Sequence, residues 1–491
     1  MKIKIVFIVI ILLASLFSVK AQFVEDALRF VSPNVSPSVR ASSLGVSYFG
    51  FADDGSAVVV NPAGMTLVPV GEFGMGINLT NHKTNTNFLG NTKKELTNEL
   101  YFTNINFVWS SINLNSDEYY ETPPPENKIK VSCGFDYHIS NDFVVNSVYS
   151  GFNPLNSFIA EQAHQKQEWV GSFGLVDSNY NALIKNNIYQ EGYVYESGGL
   201  HNLSFGMACD INPIFAIGGT FTMKFGTFDY SRKYFETDKD NIYNQYFIDD
   251  MHRLTVREVL TQDLFGITGV LGLQARLSHY CRLGLSVRFP TLMHDSEYFS
   301  TNYEVLFDND EFDKYPTGTM FNKYKIITPF EITLGASGNT SGLSYSVSGS
   351  ILNAASTYFS VDKNNINLDY DALLYFDELN EIIEEVLTTQ FTIGAGLEYK
   401  IPNIPLYLRG SYTLQTSPYK NKTLCSDKSI IGAGVGLLLT NNLILDASFV
   451  YTTQEYRRAN YGSEAFPMYF SFYNVKHTPT NFQLGIRYRF D

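Results

Sequence analysis

The side chains that could carry catalysis or bind a metal are not arranged as such chemistry requires. A run of carboxylates, Asp308, Asp310, Glu311 and Asp313, offers oxygen ligands of the kind that Ca²⁺ prefers. The run lacks the spacing of an EF-hand loop and is typical of a solvated acidic loop. The eight histidines include no pair at positions i and i+4, and the four cysteines form no Cys-x-x-Cys motif. We therefore expect no bound metal.

The sequence also lacks the motifs that position a catalytic nucleophile or a nucleotide. It contains no Gly-x-Ser-x-Gly, no phosphate-binding loop and no dinucleotide fingerprint. Serine, histidine and aspartate are plentiful, but nothing in their spacing indicates a hydrolase. We therefore expect no catalytic residues, no cofactor and no enzymatic activity.

The composition is that of a folded protein with an unusually uncharged surface. The chain has 491 residues, enough for three soluble domains or for one large closed barrel. Charged residues make up 17%, against about 25% in an average soluble protein. Aromatic residues reach 15%, which excludes a disordered chain. The net charge of −14 argues against nucleic acid as a partner, because that partner needs a basic surface.

Residues 1–21 have the composition of a secretory signal peptide. Lys2 and Lys4 form a basic start, an apolar run follows over 5–17, and Val19-Lys20-Ala21 places small residues at a cleavage site. No later stretch reaches the ~18 consecutive apolar residues of a membrane helix. The sequence thus predicts an exported protein that is either soluble or a β-barrel.

Apolar and polar residues alternate along much of the remaining chain, as they do in strands whose two faces meet different surroundings. The clearest runs are 264–277, 343–351, 391–399 and 482–490. Each is close to the ~10 residues that a tilted strand needs to cross a bilayer. A soluble β-sandwich or jelly roll also alternates, but its strands are usually nearer 5–6 residues.

Very short joints alternate with long polar connections, as turns and extracellular loops do in outer-membrane barrels. The long connections are 152–198, 226–263, 291–325, 352–388, 415–428 and 454–478. The predicted fold is all-β: a transmembrane antiparallel β-barrel of about 14 strands. The strands are predicted at 72–80, 98–111, 127–150, 199–210, 214–225, 264–277, 280–290, 326–337, 342–351, 389–400, 404–414, 429–440, 443–453 and 479–490.

The third predicted strand is interrupted by four residues, Ile139, Ser140, Asn141 and Asp142. We interpret 127–150 as one long kinked strand. The alternative is a separate hairpin, which would displace 72–80 from the barrel.

Residues 22–70 do not alternate like a spanning strand and carry three motifs in order. These are Arg40-Ala-Ser-Ser-Leu-Gly45, Ala52-Asp53-Asp54 and Asn61-Pro62-Ala63-Gly64. In this order, just before the first strand, they resemble the N-terminal hatch of the FadL/TodX family of outer-membrane transport proteins for hydrophobic compounds. The segment 282–291, Arg-Leu-Gly-Leu-Ser-Val-Arg-Phe-Pro-Thr, is similar to a strand end in that family. The resemblance covers nearly the whole chain after residue 21.

The resemblance implies a division of the chain and a set of gating residues. Residues 22–70 would form a hatch that plugs the lumen, and 71–491 an outer-membrane barrel with long extracellular loops. Asn61, Pro62, Ala63 and Gly64, with Asp53 and Asp54, would form the hatch and gate motif. Equally, the Asn-Pro-Ala turn could simply anchor the first strand. The interruption at 139–142 would be the kink that opens a lateral path through the wall.

The function implied is passive uptake of long-chain fatty acids or aromatic hydrocarbons across the outer membrane of a Gram-negative bacterium. Extracellular loops would capture the ligand, the hatch would gate it, and it would leave laterally. A loop helix over 371–387 carries an apolar stripe, Phe376, Leu379, Ile383 and Val386, that could form a capture surface or simply pack on neighbouring loops.

The partners expected are the hydrophobic ligand, outer-membrane lipid and lipopolysaccharide, with the protein a monomer. The alternative function is a non-transporting barrel that docks exported proteins or mediates surface adhesion.

Overall fold

The computed structural model describes residues 20–31, 37–110, 130–244, 250–278, 280–361, 370–462 and 466–490. Most of the predicted signal peptide lies outside these residues. So do positions 127–129 of the third predicted strand and His279, which lies between the predicted strands 264–277 and 280–290.

Eighteen antiparallel strand segments form one continuous sheet. Their bounds are β1 (Gly71–Phe88), β2 (Asn91–Ser110), β3 (Val131–Asn141), β4 (Ser147–Asn153), β5 (Ile188–Asp210), β6 (Phe215–Thr237), β7 (Met251–Ser278), β8 (Cys281–Arg288), β9 (Leu292–Phe307), β10 (Phe312–Ile327), β11 (Glu331–Thr340), β12 (Leu343–Asn353), β13 (Tyr358–Ser360), β14 (Thr389–Lys400), β15 (Leu406–Gln415), β16 (Lys428–Leu438), β17 (Leu443–Tyr461) and β18 (Ser471–Phe490). The first and last strands pair from Gly71–Phe490 to Asn87–Asn474, so the sheet closes on itself.

Four of the spanning strands are interrupted and account for two segments each. They are β3/β4, β8/β9, β10/β11 and β12/β13. Both segments of each pair bond to one common neighbouring strand: β3 and β4 to β5, β8 and β9 to β7, β10 and β11 to β8/β9, and β12 and β13 to β10/β11. The eighteen segments therefore make a barrel of fourteen strands, as the sequence predicts.

The wall is apolar outside and polar inside, the reverse of a soluble protein. Along β7, Phe265, Leu271 and Leu273 are 51%, 52% and 45% exposed, whereas Gln262 and Gln274 are buried. An apolar belt around a closed barrel is the surface that a bilayer requires, because closure leaves no unpaired backbone in the hydrocarbon. The predicted transmembrane barrel is confirmed.

Several strands are much longer than predicted, and the predicted loops 152–198, 226–263, 291–325 and 454–478 are wrong in part. Segments 188–198, 226–237, 251–263, 292–307, 312–325, 454–461 and 471–478 continue the strands instead of forming loops. The 28 residues of β7 extend up to about 90 Å at ~3.3 Å per residue. Above the lipid both faces of the wall can be polar, so the alternation that marks a spanning strand fades although the strand continues.

The segment before β1 folds into short helices inside the barrel. Its helices are α1 (Lys20–Arg29), α2 (Val39–Leu44), α3 (Tyr48–Phe51) and α4 (Ala57–Val60), with 3₁₀ turns at Gly45–Ser47 and Pro62–Leu67. Wall side chains on all sides bond to its backbone: Thr220 to the Val58 carbonyl, Ser337 to that of Gly50 and Ser411 to that of Ser43. The predicted plug within the lumen is confirmed.

In the described ranges, three further helices lie in the long loops between strands: α5 (Phe158–His164), α6 (Glu168–Ser172) and α7 (Tyr370–Val386). Around α5 and α6 an aromatic cluster fills the mouth of the barrel, with Trp169 stacked on Tyr303 at 4.2 Å. No helix in the described ranges is long and apolar enough to cross a membrane.

Candidate functional site

A buried guanidinium holds the core of the hatch in place. Arg40, in α2, donates from Nη1 to Asp53 at 2.6 Å and to Asp54 at 2.9 Å. Its Nε and Nη2 bond both oxygens of Glu398 in β14, at 2.9 and 3.0 Å. Because the side chain is only 6% exposed, these contacts are little screened by solvent. The Ala-Asp-Asp motif thus lies at the junction of hatch and wall.

The charges continue around the wall as one balanced network. Its further contacts are Glu398–Arg409 and Arg409–Asp446 at 2.6 Å, Asp446–Arg487 at 2.6 Å, Arg489–Glu72 at 2.8 Å and Arg282–Asp53 at 3.4 Å. Burial raises the pKa of Asp54, but the Arg40 and Arg487 guanidiniums lower it by more. For Asp53, Arg40 and Arg282 likewise outweigh burial and lower the pKa. Both hatch carboxylates are therefore anions at neutral pH.

The Asn-Pro-Ala turn presses against glycines of the wall. Pro62 begins a 3₁₀ turn, and Asn61 Nδ2 donates to the Leu273 carbonyl at 3.2 Å. A Cβ at Gly272 would lie 2.2 Å from Asn61 Oδ1, and one at Gly218 would lie 2.5 Å from the Pro62 carbonyl carbon. Only glycine allows this approach, so the turn is fitted to the wall at these positions.

The third spanning strand breaks near the position predicted from the sequence. Ile139, Ser140 and Asn141 still belong to β3, Asp142 is the first residue of the break, and β4 begins at Ser147. On one side, the ladder between β2 and β3 runs only from Asn104 to Ser110. Above the break, β4 pairs with β5. The described wall thus opens between β2 and the segment that follows β3.

The break is in contact with the first hatch helix. Asn141 Nδ2 donates to the Arg29 carbonyl at 2.8 Å, and the rings of Phe30 and Phe143 meet edge-on at 6.0 Å. Phe143 has φ +51°, a left-handed conformation that is strained for a bulky residue. Tight packing, including an edge contact with Phe228 at 5.6 Å, holds it there.

A cavity of about 280 Å³ lies in the lumen beside the break. Its apolar lining includes Leu28, Val31, Phe143, Val144, Phe228 and Leu424. Its charged and titratable lining includes Arg29, His82, Lys428, Arg458 and His477 together with Glu25, Asp142 and Glu196, and Glu196 binds Arg458 through both oxygens at 2.7 and 2.9 Å. This cavity therefore offers both apolar and charged groups to a ligand.

A second cavity of about 220 Å³ lies between the first cavity and the hatch core. The two share Gln415, Lys428, Thr452 and Asn481. This second cavity is lined by hydroxyl and amide groups, among them Ser286, Thr333, Ser350, Thr392, Thr413 and Gln483, and by apolar side chains that include Val46, Phe49, Val60 and Val270.

Comparison with known proteins finds the same architecture at low sequence identity. The structure of a Pseudomonas aeruginosa FadL homologue superposes with a TM-score of 0.57 and 11% identity, covering 94% of this chain and 100% of that one. A ΔS2S3 mutant of the monoaromatic hydrocarbon channel TodX gives a TM-score of 0.50 and 11% identity, covering 92% and 99%. No protein-family model and no curated protein matches the chain by sequence.

The chain has the FadL-type barrel fold. Closed single-chain barrels with an apolar outer belt are the architecture of the bacterial outer membrane, which is where this FadL-type barrel belongs.

The predicted capture residues of this FadL-type barrel are turned inward. Phe376, Leu379 and Ile383 of α7 are 8%, 2% and 0% exposed and pack in one cluster with Val24 and Ala27 of α1. Val386 is partly buried against the same cluster. In this conformation α7 packs on the hatch helix, and the stripe is not open to solvent.

The acidic run that offered oxygen ligands for Ca²⁺ lies at the tip of a long strand pair. Asp308, Asp310 and Glu311 occupy the turn between β9 and β10, and Asp313 is in β10. Asp308 is 3.4 Å from His252. Across the described ranges, no three histidine, cysteine, aspartate or glutamate side chains come together as metal ligands would.

The sequence did not predict which wall residues bind the hatch or which charged side chains line the cavity. Glu398 and Arg487 stand on the polar faces of their strands, which is the one signal that marked them. His82 and His477 come into contact only because β1 pairs with β18.

Proposed function

We propose that this protein is an outer-membrane channel through which a hydrophobic small molecule enters a Gram-negative cell by passive diffusion. The ligand occupies the cavity beside the strand break and leaves sideways through that break into the membrane. The barrel acts as a monomer surrounded by outer-membrane lipid and lipopolysaccharide, since one chain supplies the lumen, the hatch and the break.

The observation that carries this proposal is the continuity of cavity and break. Phe143, Val144 and Val145 belong to the break and also line the cavity. Each CH₂ group moved from water onto such a surface contributes about 0.8 kcal/mol. An apolar ligand held in the cavity is therefore already at the opening in the wall.

The path straight down the barrel is obstructed by the hatch. A ligand that passed the second cavity would meet the hatch core, which the Arg40 network ties to the wall. Asn61, Pro62, Ala63 and Gly64 are all buried and form part of that obstruction. These barriers support a lateral exit.

The ligand classes are long-chain fatty acids and aromatic hydrocarbons. The FadL-type fold is shared with a protein described as a monoaromatic hydrocarbon channel, which supports a hydrophobic ligand. A fatty acid fits this lining with its chain on Leu28 and Phe228 and its carboxylate facing Lys428, whereas Arg458 is already bound by Glu196. A docking or adhesion function would need neither the cavity nor the break.

The test is to close the break covalently and measure uptake into liposomes. On a background without the native cysteines, Thr97→Cys and Asn146→Cys face each other across the break, where their native side chains meet at 2.8 Å. We expect the cross-linked protein to take up radiolabelled oleate or toluene at least about 10-fold more slowly than the reduced protein.

A cross-link elsewhere in the wall provides the control. Ser429→Cys and Thr453→Cys are direct partners in the ladder between β16 and β17, so joining them leaves the break free. Uptake should then continue at the reduced protein's rate. Undiminished uptake with the break cross-linked would refute the lateral exit, and uptake no faster than in protein-free liposomes would refute transport.

A further inference from the structure

The described wall at the strand break is held together by side chains. Tyr101, in β2, donates its hydroxyl to Asp142 Oδ2 at 3.4 Å, and Asn146 Nδ2 donates to Thr97 Oγ1 at 2.8 Å. Next to the break, β2 and β3 are joined by a ladder of backbone hydrogen bonds from Asn104 to Ser110, which one substitution cannot remove. The width of the break therefore depends on a few side-chain contacts.

Asp142 also lies against His82 of β1, the strand that pairs with β2. Its Oδ2 is 3.4 Å from Nε2 of His82, and His82 is only 2% exposed. That nitrogen is buried without a well-aligned hydrogen bond. On its other side, Nδ1 of His82 is 3.4 Å from Nε2 of His477, and the two rings are stacked with centroids 5.6 Å apart.

We propose that Asp142 and His82 are positioning residues that set the width of the break, and that protonation of His82 narrows it. Imidazole is the side chain whose charge ordinarily changes between pH 5 and 8. An imidazolium at His82 attracts the Asp142 carboxylate and draws the first residue of the break toward β1. Neutral His82 loses that attraction, so the segment moves more freely as pH rises.

The charged groups around the two rings differ. His477 is buried and faces His82 itself and, more distantly, the Asp142 carboxylate, Lys428 of β16 and Arg458 of β17. His82 faces the Asp142 carboxylate directly, with Glu99 of β2 also near this pair. Two stacked imidazoliums would repel each other, so one proton is shared by the pair at most.

The experiment measures the break itself. Leu100, which is 73% exposed on β2, and Val148, partly exposed on β4, are replaced by cysteine on the cysteine-free background and spin-labelled. In lipid nanodiscs, electron–electron distance measurements should give a narrower and shorter distribution at pH 5.5 than at pH 8. His82→Gln and Asp142→Asn should each abolish this difference.

Controls separate this pair from other titrating groups. His294→Gln changes an exposed histidine on β9, and His477→Gln removes the stacked partner; both should keep the pH response. Heat-modifiable gel mobility establishes that each variant is folded before it is measured. A pH response that survives in both His82→Gln and Asp142→Asn, or that disappears in His477→Gln alone, would overturn the proposal.

This inference rests on the proposed function only in what it means for uptake. The distance measurement uses no ligand, so it is independent of whether oleate or toluene crosses the wall. If uptake fails but the measured distance responds to pH, the channel function is wrong and the role of Asp142 and His82 stands. If uptake occurs but the distance does not respond to pH, the channel function stands and the role of Asp142 and His82 is wrong.

Discussion

Replacing Arg40 with methionine should unseat the core of the hatch. Methionine keeps most of the length of the side chain but removes every hydrogen bond that the guanidinium makes to Asp53, Asp54 and Glu398. The hatch would then lose its direct ionic contact with β14. Three buried carboxylates would remain, each with one fewer cation.

The size of the effect depends on which cations those three carboxylates still contact after Arg40 is replaced. Removing one partner of a buried ion pair costs about 3–5 kcal/mol. Glu398 retains Arg409 at 2.6 Å, Asp53 retains Arg282 at 3.4 Å, and Asp54 lies 3.8 Å from Arg487. Because this compensation is partial, we take the lower value, about 3 kcal/mol. That shifts the equilibrium between seated and unseated hatch on the order of 100-fold.

A thiol at a buried hatch position reports the unseated population. Ser56 is 0% exposed, so Ser56→Cys on the cysteine-free background should react with a water-soluble maleimide only when the hatch opens. We expect Arg40→Met to raise the labelling rate on the order of 100-fold. Arg257→Met is the matched control, because Arg257 pairs with Glu304 at the surface, where such a pair contributes about 0–1 kcal/mol. Equal labelling in the two variants would refute a structural role for the Arg40 network.

Three further predictions test the same architecture. Because the pKa values of Asp53 and Asp54 are lowered, their ionised forms stabilise the seated hatch above the ordinary carboxyl pKa, and this stabilisation is lost as pH falls through the lowered values. Backbone hydrogen exchange in 38–60 should therefore become faster only in strong acid. Burial raises the pKa of Asp26 to about 6, so docking of α1 should weaken as pH rises from about 4 to 6, and Asp26→Asn should remove that dependence in the same exchange experiment. Gly272→Ala would place a Cβ 2.2 Å from Oδ1 of Asn61 and should lower the free energy of unfolding by about 1–3 kcal/mol, measured by thermal unfolding. Gly410→Ala is the control, because open space surrounds that position and the substitution should be nearly neutral. Equal melting temperatures of the two variants would contradict the close fit of the turn against the wall.

The fourteen strands could be predicted because lipid imposes a rule on every residue of the belt. A residue such as Phe265 must face hydrocarbon while Gln274 faces the lumen, and the alternation records this directly. Beyond the apolar belt, lipid no longer contacts the outer face, so polar residues can occupy both faces of a strand. The extensions of β6 and β7 therefore lack alternation and are indistinguishable from loops in the sequence. The position of the strand break was visible for the same reason, as a local loss of alternation.

The contacts that hold the hatch could not be read from the chain because closure creates them. Arg40 and Glu398 are 358 positions apart, and His82 and His477 are 395 apart. Single charges on polar strand faces marked several of these residues, but their partners depend on shear and register around the whole barrel. The inward direction of α7 was hidden too, since an apolar stripe fits a packed helix and an exposed one equally.

The placement of the hatch has a consequence for biogenesis. Segment 37–70 precedes the first strand, yet it touches walls contributed by early, middle and late parts of the chain, from Thr220 to Ser411. A finished cylinder offers no gap wide enough for such a folded piece to enter. The pairing of the first and last strands must therefore form around a hatch segment that is already inside the barrel. A hatch that fails to fold there would stop barrel closure, and with it membrane insertion.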